Sequence, residues 1–217
     1  MPKTNDREYR NMTLEVVRDE NEENETMNVS GYASTFDDPY VLFENDDLIY
    51  LEQVDKNAFD NTDMTDVIMQ YDHAGRVFAR ISNGTLDVGT DDVGLKIDAD
   101  LSGTEIGRQL YEEIRGGYTD KMSFGFTVDG DEELRTESDD GRVQILRTIL
   151  SVKKLYDVSA VSIPANSATS IGISTRSRID GAIETIRAER REAERMALER
   201  RRTEVKAKAL TERNKGK

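Results

Sequence analysis

The chain has 217 residues, 36% of them hydrophobic and 34% charged, and a formal net charge of −14 at pH 7. This composition suits one domain of ordinary size plus an appendage, because it is too polar for a single compact globule. The lack of cysteine excludes disulfides, thiolate zinc sites and cysteine nucleophiles, and the single histidine, His73, cannot supply a metal with two imidazoles.

In chain order, Met1 to Asp6 has no apolar core of the kind a signal peptide carries, and no apolar run approaches the ~20 residues of a membrane helix. The protein is therefore expected in the cytoplasm where it is made, away from membranes. Met12 to Val17 and Met27 to Thr35 read as extended segments on either side of the polar turn Asp19 to Asn24, a possible hairpin. Phe36 to Pro39 is a turn signal and Leu48 to Leu51 a short apolar strand. Val67 to Tyr71 is a compact apolar run that ends at Asp72 to Gly75. His73 thus falls where a buried strand gives way to a turn, a place that combines fixed position with access.

Val77 to Ile81, Gly84 to Val88 and Gly94 to Ala99 read as further short strands. Thr104 to Arg115 reads as a helix, with Ile106, Leu110 and Ile114 on one stripe and Gly116 and Gly117 as its stop. The apolar run Lys121 to Phe126 follows. Asp129 to Gly141 is dense in carboxylates and lacks apolar periodicity, so an exposed excursion is expected; its residues miss the EF-hand offsets, so it is not a calcium loop. Val143 to Val152 and Leu155 to Ile163 read as the last strands, closed by Pro164 to Asn166. Many short strands with one clear helix suggest an α+β, mainly β fold: a closed antiparallel β-barrel surrounded by helices.

From Ser174 the composition shifts. Ile179, Ile183, Ile186, Arg190, Ala193 and Ala197 alternate in steps of four and three, a heptad seam that weakens beyond Ile186; a coiled coil and a solvated charged helix fit equally. Two domains are expected, 1–173 and a basic helical tail 174–217. Residues 176–217 carry 14 Lys and Arg against 8 Asp and Glu, so the rest of the chain is strongly acidic. Such a body should repel phosphates, which argues against direct nucleic-acid binding.

The chemistry converges on Ser123. Alternation along Lys121 to Phe126 puts Ser123 and Gly125 on one face and Met122, Phe124 and Phe126 on the other. The hydroxyl would face a groove, and Gly125 would let a substrate backbone lie close to it. The same pattern also fits an ordinary outward-facing serine. A nucleophilic serine needs a base near neutral pKa, for which His73 is the candidate. A carboxylate should orient the imidazole. Asp157, set in the apolar run Leu155 to Pro164, is one choice, and Asp72 is the competitor. Carboxylate-pair chemistry and an all-oxygen metal site stay open but have no located residues.

The order of these segments resembles the prohead maturation proteases of tailed double-stranded DNA viruses, serine proteases related in fold to the herpesvirus assemblins. Gly31 to Phe36 is similar to the family's opening Gly-x-Ala strand, Val54 to Phe59 to its Gly-Ala-Phe segment, and Tyr71 to His73 to its histidine element. Val93 to Leu95 looks like the strand that follows. Gly116 to Phe126 resembles the Met-Ser-x-Gly-Phe signature, and Asp157 to Asn166 the closing Glu-Val-Ser-x-Val-x-x-Pro-Ala-Asn element. The likeness spans about residues 29 to 173. This chain departs in carrying Asp157 where Glu is usual and in lacking a glycine within Arg76 to Arg80.

The resemblance implies a serine endopeptidase of capsid maturation with an assemblin-like barrel. Ser123 would be nucleophile, His73 general base and then acid, and Asp157 the orienting carboxylate, with no cofactor and no metal. It also implies action inside the procapsid in the host cytoplasm, the major capsid protein and its scaffolding segment as substrate, self-cleavage and a homodimer. The tail would dock on scaffold or be removed by the enzyme. The rival is a non-catalytic scaffold protein that keeps the fold.

Overall fold

The computed structural model describes residues 7–13, 27–161 and 173–215. The expected turn Asp19 to Asn24, most of the extended segment Met12 to Val17, and the closing residues Pro164 to Asn166 lie outside them. The chain divides into two compact units, residues 1–176 and 177–217.

The first unit is built along two long strands. In chain order its strands are β1 (Glu8–Thr13), β2 (Asn28–Thr35), β3 (Tyr40–Glu44), β4 (Leu48–Val54), β5 (Ile68–Tyr71), β6 (Ala74–Arg80), β7 (Leu86–Thr90), β8 (Gly94–Asp100), β9 (Lys121–Glu137) and β10 (Val143–Val161). β9 and β10 pair antiparallel along almost their whole length, around a turn in which Gly141 has φ 82°. Register shifts between Ile149 and Asp157 bend β10 into two halves that take different neighbours. The first half lies parallel to β4 and the second parallel to β5. β1 pairs antiparallel with the start of β9, β3 with β4, and β6 with β5, making seven strands. β2, β8 and β7 form a separate three-stranded antiparallel sheet.

The expected closed antiparallel barrel surrounded by helices is therefore corrected. Among the described residues no sheet closes on itself: β1, β3 and β6 end the large sheet as edges, and β2 and β7 end the small one. Parallel pairing on β10 makes the large sheet mixed. The physical reason lies in β9 and β10, whose hydrogen bonds are used by one another, by β1 and by two parallel neighbours, so the large sheet branches instead of running as one antiparallel ribbon whose two edges meet. The mainly β character stands: among the described residues, α1 (Glu105–Arg115) is the first unit's one α-helix apart from the opening turn of α2 (Ile173–Lys215).

Other local expectations change for the same reason. Of the expected hairpin arm Met12 to Val17, the described residues Met12 and Thr13 pair with β9, and β2 pairs with β8; the rest of that arm lies outside the described residues. The acidic stretch from Asp129 to Glu137 is the distal half of β9, not a loop, because its ladder partner on β10 overrides its weak strand propensity. The two late strands are one.

α1 does form where the periodicity puts it. Thr104 caps it, its Oγ1 accepting from Gly107 N at 3.0 Å, while Glu105 and Arg115 suit the two ends of the helix dipole. Leu110 and Ile114 bury its inner face. The apolar side of β9 supplies the core: Met122, Phe124 and Phe126 are buried, and the two phenylalanine rings stack at 4.5 Å.

Behind that face lies a buried ionic network. Arg10 on β1 bonds Glu8 and Glu52, and Arg147 on β10 donates to Glu8 Oε2 and Glu52 Oε2, both at 2.9 Å. Tyr40 donates to Glu52 at 2.5 Å, and Arg147 also reaches Asp131 at 2.6 Å and Thr175 at 3.1 Å. Burial pushes the Glu8 carboxyl up, but Arg10 and Arg147 more than reverse this and hold it down to about 2. The network ties β1 to β4 and β10.

In the second unit, α2 (Ile173–Lys215) continues as one helix. From Arg187 to Lys208 its residues are exposed, including Arg190, Ala193 and Ala197 of the expected seam.

Candidate active site

Three neighbouring strands present one face to this site. Directly opposite residues on paired strands share a side, so the register places Tyr9 on β1, Gly125 on β9 and Asp157 on β10 in one row. The next row holds Ser123 opposite Ser159. Met122, Phe124 and Phe126 of β9 point the other way, into the core.

His73 comes from outside this row. β5 and β6 join through a two-residue turn, Asp72 and His73, between the paired residues Tyr71 and Ala74. Both turn residues have positive φ, 49° and 55°, the type I′ pattern that glycine and asparagine adopt most easily. A histidine there costs about 1–2 kcal/mol of backbone strain relative to glycine. β5 lies parallel beside the second half of β10, so the turn projects the imidazole over Asp157 and Ser123.

The three side chains form one hydrogen-bonded chain. His73 Nδ1 lies 2.5 Å from Asp157 Oδ1, and His73 Nε2 lies 2.6 Å from Ser123 Oγ. With the carboxylate ionised, Nδ1 carries the proton and donates, leaving Nε2 to accept from the serine hydroxyl. Ser123 and Asp157 are fully buried, whereas the His73 side chain is 17% exposed. The structure thus brings together all three sequence-predicted residues, on a turn and two separate strands.

Asp72, the competing orienter, does not occupy that place. The Nδ1 partner is Asp157, and the Asp72 backbone N–H donates to Ala160 O at 3.0 Å, which fixes the turn against β10. Gly125 also has a different task from the one expected of it. A Cβ there would stand 2.4 Å from Asp157 Oδ2 and 2.8 Å from Tyr9 Cε1, so the missing side chain makes room for the carboxylate, not for a substrate backbone.

Sequence reasoning missed three neighbours. Ser159 donates to Asp157 Oδ1 at 3.0 Å, a contact foreshadowed only by its two-residue spacing on a strand. Tyr9 packs against the imidazole with ring centroids 4.3 Å apart and the planes tilted by 58°, and Arg7 Nη1 is 3.5 Å from Asp157 Oδ2. Both approach from a strand that is remote in sequence, and nothing local marks them. Among the described residues no cluster of His, Cys, Asp and Glu could hold a metal ion.

Hydroxyl, imidazole and carboxylate in this order are the parts of a serine nucleophile with its base and orienter. The family model described as caudovirus prohead serine protease matches residues 13–181. No curated protein and no solved structure matches the chain.

Proposed function

Because the chain belongs to the caudovirus prohead serine proteases, we propose that it is an endopeptidase of capsid maturation in which Ser123, His73 and Asp157 carry the chemistry. The observation that carries this reading is the hydrogen-bond chain from Ser123 Oγ through the imidazole to Asp157.

Ser123 Oγ attacks the scissile carbonyl as Nε2 takes its proton. Asp157 holds the Nδ1–H tautomer and stabilises the imidazolium that forms. The imidazolium then gives its proton to the leaving amine, and water, activated by the same nitrogen, releases the acyl group from Ser123. Asp157 can do the work of the usual Glu because the space left by Gly125 lets β10 bring the shorter carboxylate against the ring.

Ser123 has no solvent-exposed surface.

The substrate we assign is the major capsid protein or its scaffolding segment, cut inside the procapsid in the host cytoplasm, together with the protease's own chain. We further propose that the protease domain ends at residue 173, that it acts as a homodimer, and that the basic tail docks on scaffold. Normal incorporation into procapsids after deletion of residues 176–217 would sink the tail's role. The acidic body is assigned no nucleic-acid contact.

The deciding experiment is co-expression with the capsid protein of the same virus, read by mass spectrometry. The native chain should shorten the precursor and Ser123→Ala should leave it whole, with assembly intact. Uncut precursor in the presence of the native chain would favour a non-catalytic scaffold.

A further inference from the structure

Alternation along β1 sends successive side chains to opposite faces of the sheet. Glu8 and Arg10 enter the buried ionic network, Arg10 bonding Glu8 and Glu52 and standing 5.5 Å over the Phe126 ring. Arg7 and Tyr9 go to the other face, where Ser123, Gly125 and Asp157 lie. One face anchors the strand, and the other meets the candidate triad.

We propose that Arg7 and Tyr9 are positioning residues of this site: Tyr9 packs the His73 ring into line with Ser123, and Arg7 supplies the counter-charge for the Asp157 oxygen that the histidine does not use. Both precede residue 13, where the family match begins. The activity part of the proposal rests on the protease reading above; the electrostatic part rests on geometry alone.

Asp157 Oδ1 is engaged by His73 and by Ser159, but Oδ2 is buried and has no hydrogen-bond partner among the described residues. A buried carboxylate oxygen left without compensation is costly. The Arg7 guanidinium, 3.5 Å away, is the cation that faces it. Its own place is fixed twice, by stacking 3.7 Å over the Tyr156 ring and by donating to Tyr9 Oη at 3.4 Å. Tyr9 in turn lies 4.3 Å from the imidazole, tilted by 58°, and fills the row that Gly125 leaves open. The ring therefore cannot swing towards β1 without displacing Tyr9.

This arrangement has an electrostatic consequence. The groups facing the imidazole are Asp157 from β10, Tyr9 from β1 and Ser123 from β9, with Asp72 preceding it in the turn and Arg7 on the far side of the shared carboxylate. Arg7 draws on the same negative charge that would stabilise an imidazolium. It therefore favours the neutral ring, the form that can accept the serine proton.

His73 is the single histidine of the chain, so its ring resonances can be followed by NMR without ambiguity and without substrate. Arg7→Ala should move the midpoint of its titration to higher pH, and Arg7→Lys, which keeps the charge, should reverse most of that shift. In cleavage of the capsid-protein precursor, Tyr9→Ala should lower kcat by roughly tenfold to a hundredfold with KM little changed, and Tyr9→Phe, which keeps the ring, should restore most of it. Melting curves check that each variant is folded at the assay temperature; if Tyr9→Ala is not, the Arg7 pair decides.

An unmoved midpoint in Arg7→Ala overturns the role of Arg7. Equal loss in Tyr9→Phe and Tyr9→Ala overturns that of Tyr9. If Ser123→Ala abolishes cleavage while the Arg7 and Tyr9 variants behave as the native chain, this inference fails and the protease reading survives. Cleavage that persists in Ser123→Ala fails the protease reading and the role of Tyr9 with it, and the NMR midpoint still judges Arg7.

Discussion

Asp157 on β10 and Gly125 on β9 stand opposite each other, and the carboxylate of the first occupies the space that a side chain on the second would fill. A methyl group at 125 must push Asp157 away from His73 or Tyr9 off the imidazole. Gly125→Ala should therefore lower kcat at least ~100-fold while costing about 1–3 kcal/mol of stability from overpacking. Single-turnover cleavage and a thermal melt measure the two. Native-like kcat would mean that the carboxylate's position does not matter.

The orienting role proposed for Asp157 can be separated from its charge. Asp157→Asn leaves the shape but offers an amide that favours the wrong imidazole tautomer, so kcat should fall by about 10⁴-fold. Ser159→Ala removes only one donor, at 3.0 Å from Oδ1, and should cost roughly tenfold or less. A reversed order of severity, measured on the same substrate, would point to a different orienter.

The turn that carries His73 is held at a stability cost. With φ of 55° at this position, His73→Gly should be more stable than His73→Ala by about 1 kcal/mol, although both lack the proposed base. Denaturant melts of the pair give the difference directly. Equal stability would show that the turn relaxes once the imidazole is gone.

The network behind the site gives a pH dependence with a definite sign. The Glu8 carboxyl lies at about 2 in the folded chain against an ordinary 4.5, so its contribution is fully present above pH ~4.5 and is lost as the pH falls towards 2. That contribution amounts to about 3 kcal/mol. Glu8→Gln should flatten this part of the acid-unfolding curve relative to the native chain. An unchanged curve would mean that another carboxylate governs it.

Removing one cation from the network should be worse than removing that one charge effect. Arg147→Met leaves Glu8 and Glu52 buried with fewer partners and should destabilise by about 3–5 kcal/mol. Because β1 is anchored by the same network, activity should fall even below the melting temperature. Full activity in a weakened but folded variant would uncouple β1 from the site.

Local patterns reached a long way in this chain. The absence of cysteine and the single histidine narrowed the chemistry before any fold was considered. Alternation in Lys121 to Phe126 correctly divided Ser123 and Gly125 from the core phenylalanines, and the apolar run before Asp72 put His73 on a turn. The helix Glu105–Arg115 was legible from its stripe, cap and glycine stop. These are short-range properties, set by a residue and its neighbours within a few positions.

What the sequence could not decide was which strands meet. Strand propensity does not specify partners, so the barrel was expected where β9 and β10 instead pair through their full lengths and take parallel neighbours. The choice of Asp157 over Asp72, the true task of Gly125, and the arrival of Arg7 and Tyr9 all follow from that pairing. Composition and short motifs determined which groups could do the chemistry. Only long-range register, fixed by burial of one sheet face and by the ionic network beneath it, decided which of them stand together.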